Sequence, residues 1–328
     1  MTVALRVGLL GAARIAPGAL IEPAAARDDV RVVALGCRDL ERGRAFGKQH
    51  GIDGVGSYEE LIARADVDAV YVALPTALHA RWAIAALESG KHVLCEKPFA
   101  ANAREAALMI DAARAAGRVL AEAFHDFYHP FGSEMRNLGA RHLTSAAARV
   151  EATFSTPVAD PEDIRRKLSL GGGALMDLGC YPIHWVRTLL NQEPTVVSAE
   201  AKGAGGIDEA MSAELRFPSG ATARVRCSML PSARHLARVH AVAPGVELTF
   251  QNPLAPQTGN SIVVVEGGQR SQRSVPGGSS YGYQLAAFVD AVRGSARMPT
   301  SGDDALSNMS TIDAIYRAAG MQIRGTSQ

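Results

Sequence analysis

The stretch ALRVGLLGAARIA, residues 4–16, decides how this chain is to be read. Its first seven residues are apolar except for Arg6, the composition of a short strand buried in a sheet. GAARIA, Gly11 to Ala16, follows directly and fits the spacing G-x-G-x-x-G/A. In that spacing the first glycine makes a tight turn, the middle position lets a pyrophosphate approach the backbone, and the last lets a helix pack close to the strand. Here the middle position is Ala13, and a methyl group is the smallest possible intrusion. An anion can still sit on the N-terminus of the helix that should follow, where free N–H groups and the helix dipole favour negative charge. A bare packing turn is the alternative, and the place of the motif after the first strand of a strand-helix series argues for dinucleotide binding.

Working outward, VRVVALG (30–36), DAVYVAL (68–74), HVLCE (92–96) and RVLAEAF (118–124) repeat the apolar pattern. The helix-like stretches HARWAIAALESGK and ANAREAALMIDAARAAG separate the last three, and Gly117 stands where a C-cap glycine belongs. Alternation of this kind predicts an α/β Rossmann domain over residues 1–124, with a doubly wound parallel sheet covered on both faces. Ligands of such sheets bind outside the carboxyl ends of the strands. That rule selects Gly11, Ala13, Arg14 and Ile15 after the first strand, and Cys37 and Arg38 after the second. It also selects Leu74, which ends DAVYVAL, with Pro75, Thr76 and His79 beyond it, and Glu96, which ends HVLCE, with Lys97 beyond it.

Two of these residues bear on the chemistry. A 2′-phosphate is met by arginine and a free 2′-hydroxyl by a carboxylate, so Arg38 favours NADP over NAD. The alternative makes Arg38 an exposed helix start with Asp39 as its cap. Lys97 should point toward the nicotinamide, where desolvation and a cationic ring would lower its pKa into the range of a general acid or base. A lysine snorkelling from a strand end is the competing reading.

After residue 124 the pattern changes. TARVRC (222–227), preceded by the turn FPSG, alternates apolar and polar, while helix-like segments fall at 174–190, 283–293 and 303–319. Alternation implies antiparallel strands with one covered face, so residues 125–328 read as an α+β domain with a large, mostly antiparallel sheet. A C-terminal helix is expected to pack back on the first domain. The open face of the sheet either binds a second copy, giving a dimer or tetramer, or is solvated by Thr222, Arg224 and Arg226. GGSSYGY and VEGGQRSQR read as loops.

Composition narrows the classes. The chain has 328 residues, room for two cores, and 34 Lys plus Arg against 33 Asp plus Glu. That balance supplies no field for nucleic acid or a membrane surface, and a small-molecule partner fits better. The cysteines at 37, 95, 180 and 227 form no C-x-x-C pair, so neither a disulfide framework nor a metal site is expected, and a reducing cytoplasmic location follows. The N-terminal stretch reads as a first strand rather than a leader, and no run is long enough to suggest a membrane span.

G-x-x-R-I-A after the first strand, E-K-P at 96–98, A-E-A-F-x-x-x-x-H-P at 121–130 and G-G-G-A-L-M-D-L-G-C-Y-P-I-H at 171–184 together resemble the glucose-fructose oxidoreductase and inositol dehydrogenase (Gfo/Idh/MocA) family. The similarity runs through YGYQLAAFVDAV to DALSNMSTIDAIYRAAG and is strongest to the branch with dihydrodiol and NADP-dependent aldose (xylose) dehydrogenases. The resemblance implies an NAD(P)-dependent dehydrogenase or reductase acting on the secondary or anomeric alcohol of a sugar, polyol or dihydrodiol. It places Lys97 by the nicotinamide and the reacting hydroxyl, and puts the D-x-x-x-H/Y pair on Asp177 and Tyr181. It also makes His184, His125 and Phe127 substrate residues, and puts Arg165 near the cofactor. Tyr181 with its pKa lowered by Lys97, or Lys97 itself, would move the proton, with Asp177 orienting its neighbours.

Spacing offers a separate check. Asp177, Tyr181 and His184 stand i, i+4, i+7, one face of one helix, provided Pro182 breaks it mildly or opens a new first turn. Read without the resemblance, the three are a cap, a core aromatic and a buried histidine. One departure from the branch is visible: the aromatic-Arg pair before H-P is replaced by His125-Asp126-Phe127-Tyr128. Loss of the guanidinium and gain of a carboxylate should change the mouth of the substrate pocket. The family also holds NAD-dependent glycosidases and dinucleotide-binding regulators, two rival activities for the same fold.

Overall fold

The protein is described by a computed structural model over residues 3–325. Residues 1–2 and 326–328, the outer ends of the two expected domain spans, lie outside the described residues. The chain divides into two compact units, one running to His125 and including Tyr281–Leu306, the other formed by Asp126–Ser280 with the chain from Ser307 onward.

The first unit holds a six-stranded sheet. Its strands are β1 (Leu5–Leu10), β2 (Val30–Gly36), β3 (Gly54–Gly56), β4 (Ala69–Val72), β5 (His92–Cys95) and β6 (Leu120–Glu122). All neighbours are parallel in the order β3-β2-β1-β4-β5-β6, the doubly wound topology expected, with its switch point between β1 and β4. All four residues of β4 and the last three of β5 are buried, as two-sided coverage requires. Each such Val or Leu contributes about 1.5–3 kcal/mol.

Helix starts in this unit carry local signals: Asp39 caps Leu40–His50, Ser57 and Glu60 form a capping box, and Asn102 caps Ala103–Ala116. Gly117 ends that last helix at φ 61°, as its position suggests. The strand β3, a three-residue GVG, escapes sequence reading because two of its residues are glycine. The edge strand β6 is covered by the returning segment, where Glu122 N donates to Thr300 O at 2.9 Å and the Thr300 hydroxyl donates to Glu122 O at 2.7 Å.

The second unit is built on an eight-stranded sheet. Its strands are β7 (Arg149–Ser155), β8 (Thr195–Ala204), β9 (Ile207–Arg216), β10 (Thr222–Ser228), β11 (Leu236–Ala243), β12 (Val246–Gln251), β13 (Ser261–Glu266) and β14 (Gln269–Arg273). They run in the order β14-β13-β12-β11-β7-β10-β9-β8. Every pairing is antiparallel except β7 with β10, the large, mostly antiparallel sheet that alternation implied. Ala223, Val225 and Cys227 point inward, and helix Cys180–Leu190 packs on β7 and β10. Arg224 bonds Glu214 on the outer face, and Arg226 lies 3.7 Å from Glu151.

Three expectations need correction. The last four residues of GGSSYGY, Ser280 to Tyr283, open the α-helix Ser280–Val292 and are not a loop. The stretch VEGGQRSQR is a hairpin, its last five residues forming the edge strand β14. Every residue of β14 is exposed, so no apolar alternation marks it. The segment 174–190 is not a uniform α-helix, because a π turn over Leu175–Gly179 precedes the α-helix Cys180–Leu190. Pro182 falls among the first residues of the α segment, directly after the π turn.

Candidate active site

Strand register lines up the selected residues of the first unit. Gly36 pairs with Leu10, Leu10 with Val72, Val72 with Cys95, and Cys95 with Glu122. Four strand ends from β2 to β5 therefore stand level in a row about 14 Å long, at the usual strand spacing. Cys37 and Arg38, Gly11 to Ile15, Leu74 to His79, and Glu96 with Lys97 each leave that row directly.

The glycine turn is tight for a steric reason. Gly11 has φ 100°, and a Cβ there would lie 2.4 Å from Ala73 O. Ala13 is half-buried, and Arg14 and Ile15 are exposed. The helix that follows opens with the π turn Pro17–Ile21, and no side chain caps its start. Sequence reading missed Arg42, whose guanidinium donates to Ala12 O at 2.8 Å and brings positive charge to the turn. Arg38 is exposed, while Asp39 accepts from Glu41 N and Arg42 N at 3.1 Å each. Asp39 is therefore the helix cap, and Arg38 remains open to a phosphate. A glycine no side chain can replace, an uncapped helix start and two nearby guanidiniums suit a dinucleotide pyrophosphate.

Lys97 is held by its neighbour. The Glu96 carboxylate accepts from Lys97 N at 3.1 Å and from the hydroxyl of Tyr71, a fully buried phenol on β4. A tyrosine inside an otherwise aliphatic strand was the available signal, because a buried phenol needs a polar partner. Burial beside Glu96 pushes the Tyr71 phenol well up, so it stays a donor. Lys97 is half-buried, and its charge reaches two buried histidines. Burial first, then Lys97, lowers His125 to about 3, leaving a neutral ring stacked on Tyr281 with centroids 3.9 Å apart. Burial also lowers His79, whose ring nitrogens face Pro98 O at 3.0 Å and Leu74 O at 2.8 Å, tying the two turns together.

In the second unit the π turn carries Asp177, and the α segment carries Tyr181 and His184, both buried. The π turn carries Asp177 directly into the α segment, on which Tyr181 and His184 stand three residues apart. Asp177 is half-buried, with Oδ2 3.5 Å from Arg165 Nη1. Arg165 also bonds Asp163 at 2.8 Å, and that contact raises its pKa further. Tyr181 packs edge-on to Phe154 at 5.7 Å.

The departure at 125–128 reads differently in three dimensions. Asp126 is buried, and its Oδ2 accepts from Trp185 Nε1 at 2.7 Å. Burial raises its pKa. A guanidinium is also present, supplied by Arg136, which lies 3.6 Å from the centre of the Phe127 ring and donates to Phe127 O at 3.0 Å. Burial lowers Arg136 to about 10. The rings of Phe127 and His184 are 5.7 Å apart, and a cavity of about 10 Å³, room for one water at most, lies among Asp126, Phe127, Arg136, His184, Trp185 and Thr188. No sequence signal linked Arg136, on the next helix, to Phe127.

No cluster of metal-binding side chains occurs among the described residues, no described helix is long and apolar enough to cross a membrane, and the four cysteines are buried and form no disulfide. A doubly wound parallel sheet with a glycine turn on its first strand, joined to an α+β unit, defines a two-domain nicotinamide-dinucleotide oxidoreductase. Residues 5–124 match the oxidoreductase family NAD-binding Rossmann fold of GFO/IDH/MocA proteins, and residues 141–243 match the GFO/IDH/MocA C-terminal domain. The chain belongs to the GFO/IDH/MocA family, as its spaced motifs indicate. It is 35% identical over 315 residues to a D-xylose 1-dehydrogenase (NADP(+)) of Haloferax volcanii, covering 95% of this chain and 96% of that one. It is 33% identical over 329 residues to a dTDP-3,4-didehydro-2,6-dideoxy-alpha-D-glucose 3-reductase of Streptomyces violaceoruber, covering 96% of each. A 3-ketoreductase from Actinomadura kijaniata, solved in complex with NADP and TDP-benzene, has the same fold with TM-score 0.89, 28% identity, and coverage of 96% and 98%.

Proposed function

We propose that this NAD(P)-dependent oxidoreductase prefers NADP and interconverts a secondary or anomeric alcohol and the corresponding carbonyl on a sugar or polyol. The observation that carries the reading is Lys97, a half-buried ammonium at the carboxyl end of β5 whose turn is locked by Glu96 and Tyr71. Relatives that act on the anomeric carbon and on a 3-keto sugar support the substrate class. Gly11, Ala13 and the uncapped helix after them would hold the pyrophosphate, and Arg38 the 2′-phosphate. The nicotinamide, when bound, supplies or accepts the hydride.

Lys97 Nζ and the Tyr181 hydroxyl are the groups proposed to move the substrate's hydroxyl proton. Asp177, held by Arg165, orients this chemistry, and His184, His125 and Phe127 contact substrate. His125, kept neutral by burial and Lys97, can accept or donate a hydrogen bond without adding charge. The outer face of the eight-stranded sheet is proposed to bind a second copy, and a monomeric mass by light scattering would remove that part. Free thiols suit a reducing, cytoplasmic setting.

The test is a panel of aldoses, polyols and nucleotide-linked keto sugars with NADP and NAD, following nicotinamide absorbance. Lys97→Met should bind NADP nearly as the wild type while kcat falls at least about a thousandfold. Unchanged turnover in that variant would remove Lys97 from the chemistry. Release of free sugar from a glycoside with no net redox change would favour the glycosidase alternative.

A further inference from the structure

We propose that Asp208 and Arg324, remote in sequence from every residue assigned a role above, are positioning residues for the helix that carries Asp177 and Tyr181. The proposal rests on the reaction just described. Asp208 stands near the start of β9 with a side chain 0% exposed, and Arg324 belongs to the segment after the last helix, also 0% exposed. Asp208 Oδ2 accepts from Leu175 N at 2.6 Å, the first residue of the π turn. Asp208 Oδ1 accepts from Arg324 Nη2 at 2.6 Å and from the Tyr316 hydroxyl at 2.9 Å.

Arg324 completes the arrangement from the other side. Its Nε donates to Gly172 O at 2.8 Å and its Nη1 to Gln322 O at 3.0 Å, and its guanidinium lies 4.3 Å from the Tyr316 ring centre. Between the two gripped backbone atoms, Gly172 O and Leu175 N, stands Gly173 at φ 137°, where a Cβ would lie 2.2 Å from Asp208 Oδ1. The carboxylate thus satisfies a helix N–H that no nearby side chain caps, and the arginine balances its charge while holding the preceding turn. Asp177 follows Leu175 by two residues.

A buried ion pair is weak evidence for stability, since apolar packing of the same volume often does as well. What apolar packing cannot do is fix one N–H and one carbonyl, three residues apart, against two separate elements. A displacement of about 1 Å in a reacting group lowers turnover on the order of a hundredfold, so a directional lock at this place acts on rate.

The experiment uses the full chain with Arg324→Met, Arg324→Lys and Tyr316→Phe. Each is assayed for kcat, KM and NADP dissociation constant by nicotinamide fluorescence, with thermal melting recorded in parallel. Arg324→Met should lose about 10- to 100-fold in kcat while the NADP constant and KM stay within about threefold of wild type. Arg324→Lys should recover roughly tenfold of that loss, because an ammonium keeps the charge and one donor. Should Arg324→Met fail to fold, Arg324→Lys and Tyr316→Phe decide the matter, each expected to lower kcat about threefold or more with the melting transition intact. Folded variants that keep wild-type kcat, or whose loss vanishes on assay well below the melting transition, overturn the positioning role alone. A wild-type chain without turnover on the whole panel overturns the reaction itself, and this proposal with it.

Discussion

Two helices in this protein start on glycine turns, one after β1 and one after the triplet Gly171–Gly173, and their N-termini are treated in opposite ways. Both begin with a π turn and both lack a capping side chain next to them in sequence. At the second start a carboxylate from β9 reaches in and bonds the first helical N–H, and a buried arginine neutralises it. At the first start no side chain caps the helix among the described residues, and Arg42 on the turn itself and the exposed Arg14 and Arg38 bring positive charge. A helix N-terminus attracts negative charge in either case. Where the protein supplies that charge the helix is locked; where it does not, a ligand can.

The largest expected effect lies at the locked start. Gly173→Ala should destabilise the protein by about 4 kcal/mol, combining a positive-φ penalty with a methyl driven into the Asp208–Arg324 pair. A urea titration matching wild type would show that this start is not locked at all. Gly11→Ala should be milder, about 2–3 kcal/mol, since its methyl meets the Ala73 carbonyl and Leu74 rather than a buried ion pair. It should weaken NADP binding at least tenfold, which calorimetry would measure; if affinity is untouched, the first start is a packing turn and the contrast between the two helices collapses.

A third effect tests the acid sensitivity of the first unit. His125 titrates at about 3 in the fold and about 6.5 unfolded, so between these values the unfolded chain binds the extra proton and stability rises with pH. This one residue should account for about 2 kcal/mol of the stability lost on going from pH 7 to pH 5. Denaturant titrations of His125→Gln should show the fall reduced by that amount. An identical pH dependence in the variant would mean that His125 is not held neutral by burial and Lys97.

Much of the first unit was legible because its signals are local. A parallel strand covered on both faces is an apolar run, and the carboxyl-end rule then places Lys97, Glu96 and the glycine turn on one row without further information. The caps Asp39, Ser57 and Asn102 are read from residues three or four apart. What stayed hidden depends on partners distant in sequence: the Tyr71 hydroxyl on Glu96, Asp126 under Trp185, and Arg136 over Phe127. The same reason hid the surroundings of residues 125–128, where the Asp126 carboxylate is buried and another helix supplies a guanidinium.

Taken alone, the amino-acid sequence determined the doubly wound sheet, the one-faced second sheet, the family and the row of residues at the carboxyl ends of the parallel strands, because hydrophobic period and glycine spacing are properties of neighbouring residues. Tertiary structure alone decided that a π turn carries Asp177 into the α segment of Tyr181 and what holds that turn. The decisive groups, Asp208 and Arg324, stand 33 and roughly 150 residues from the backbone atoms they bind, and only the folded chain brings a lone carboxylate and a lone guanidinium to one buried point.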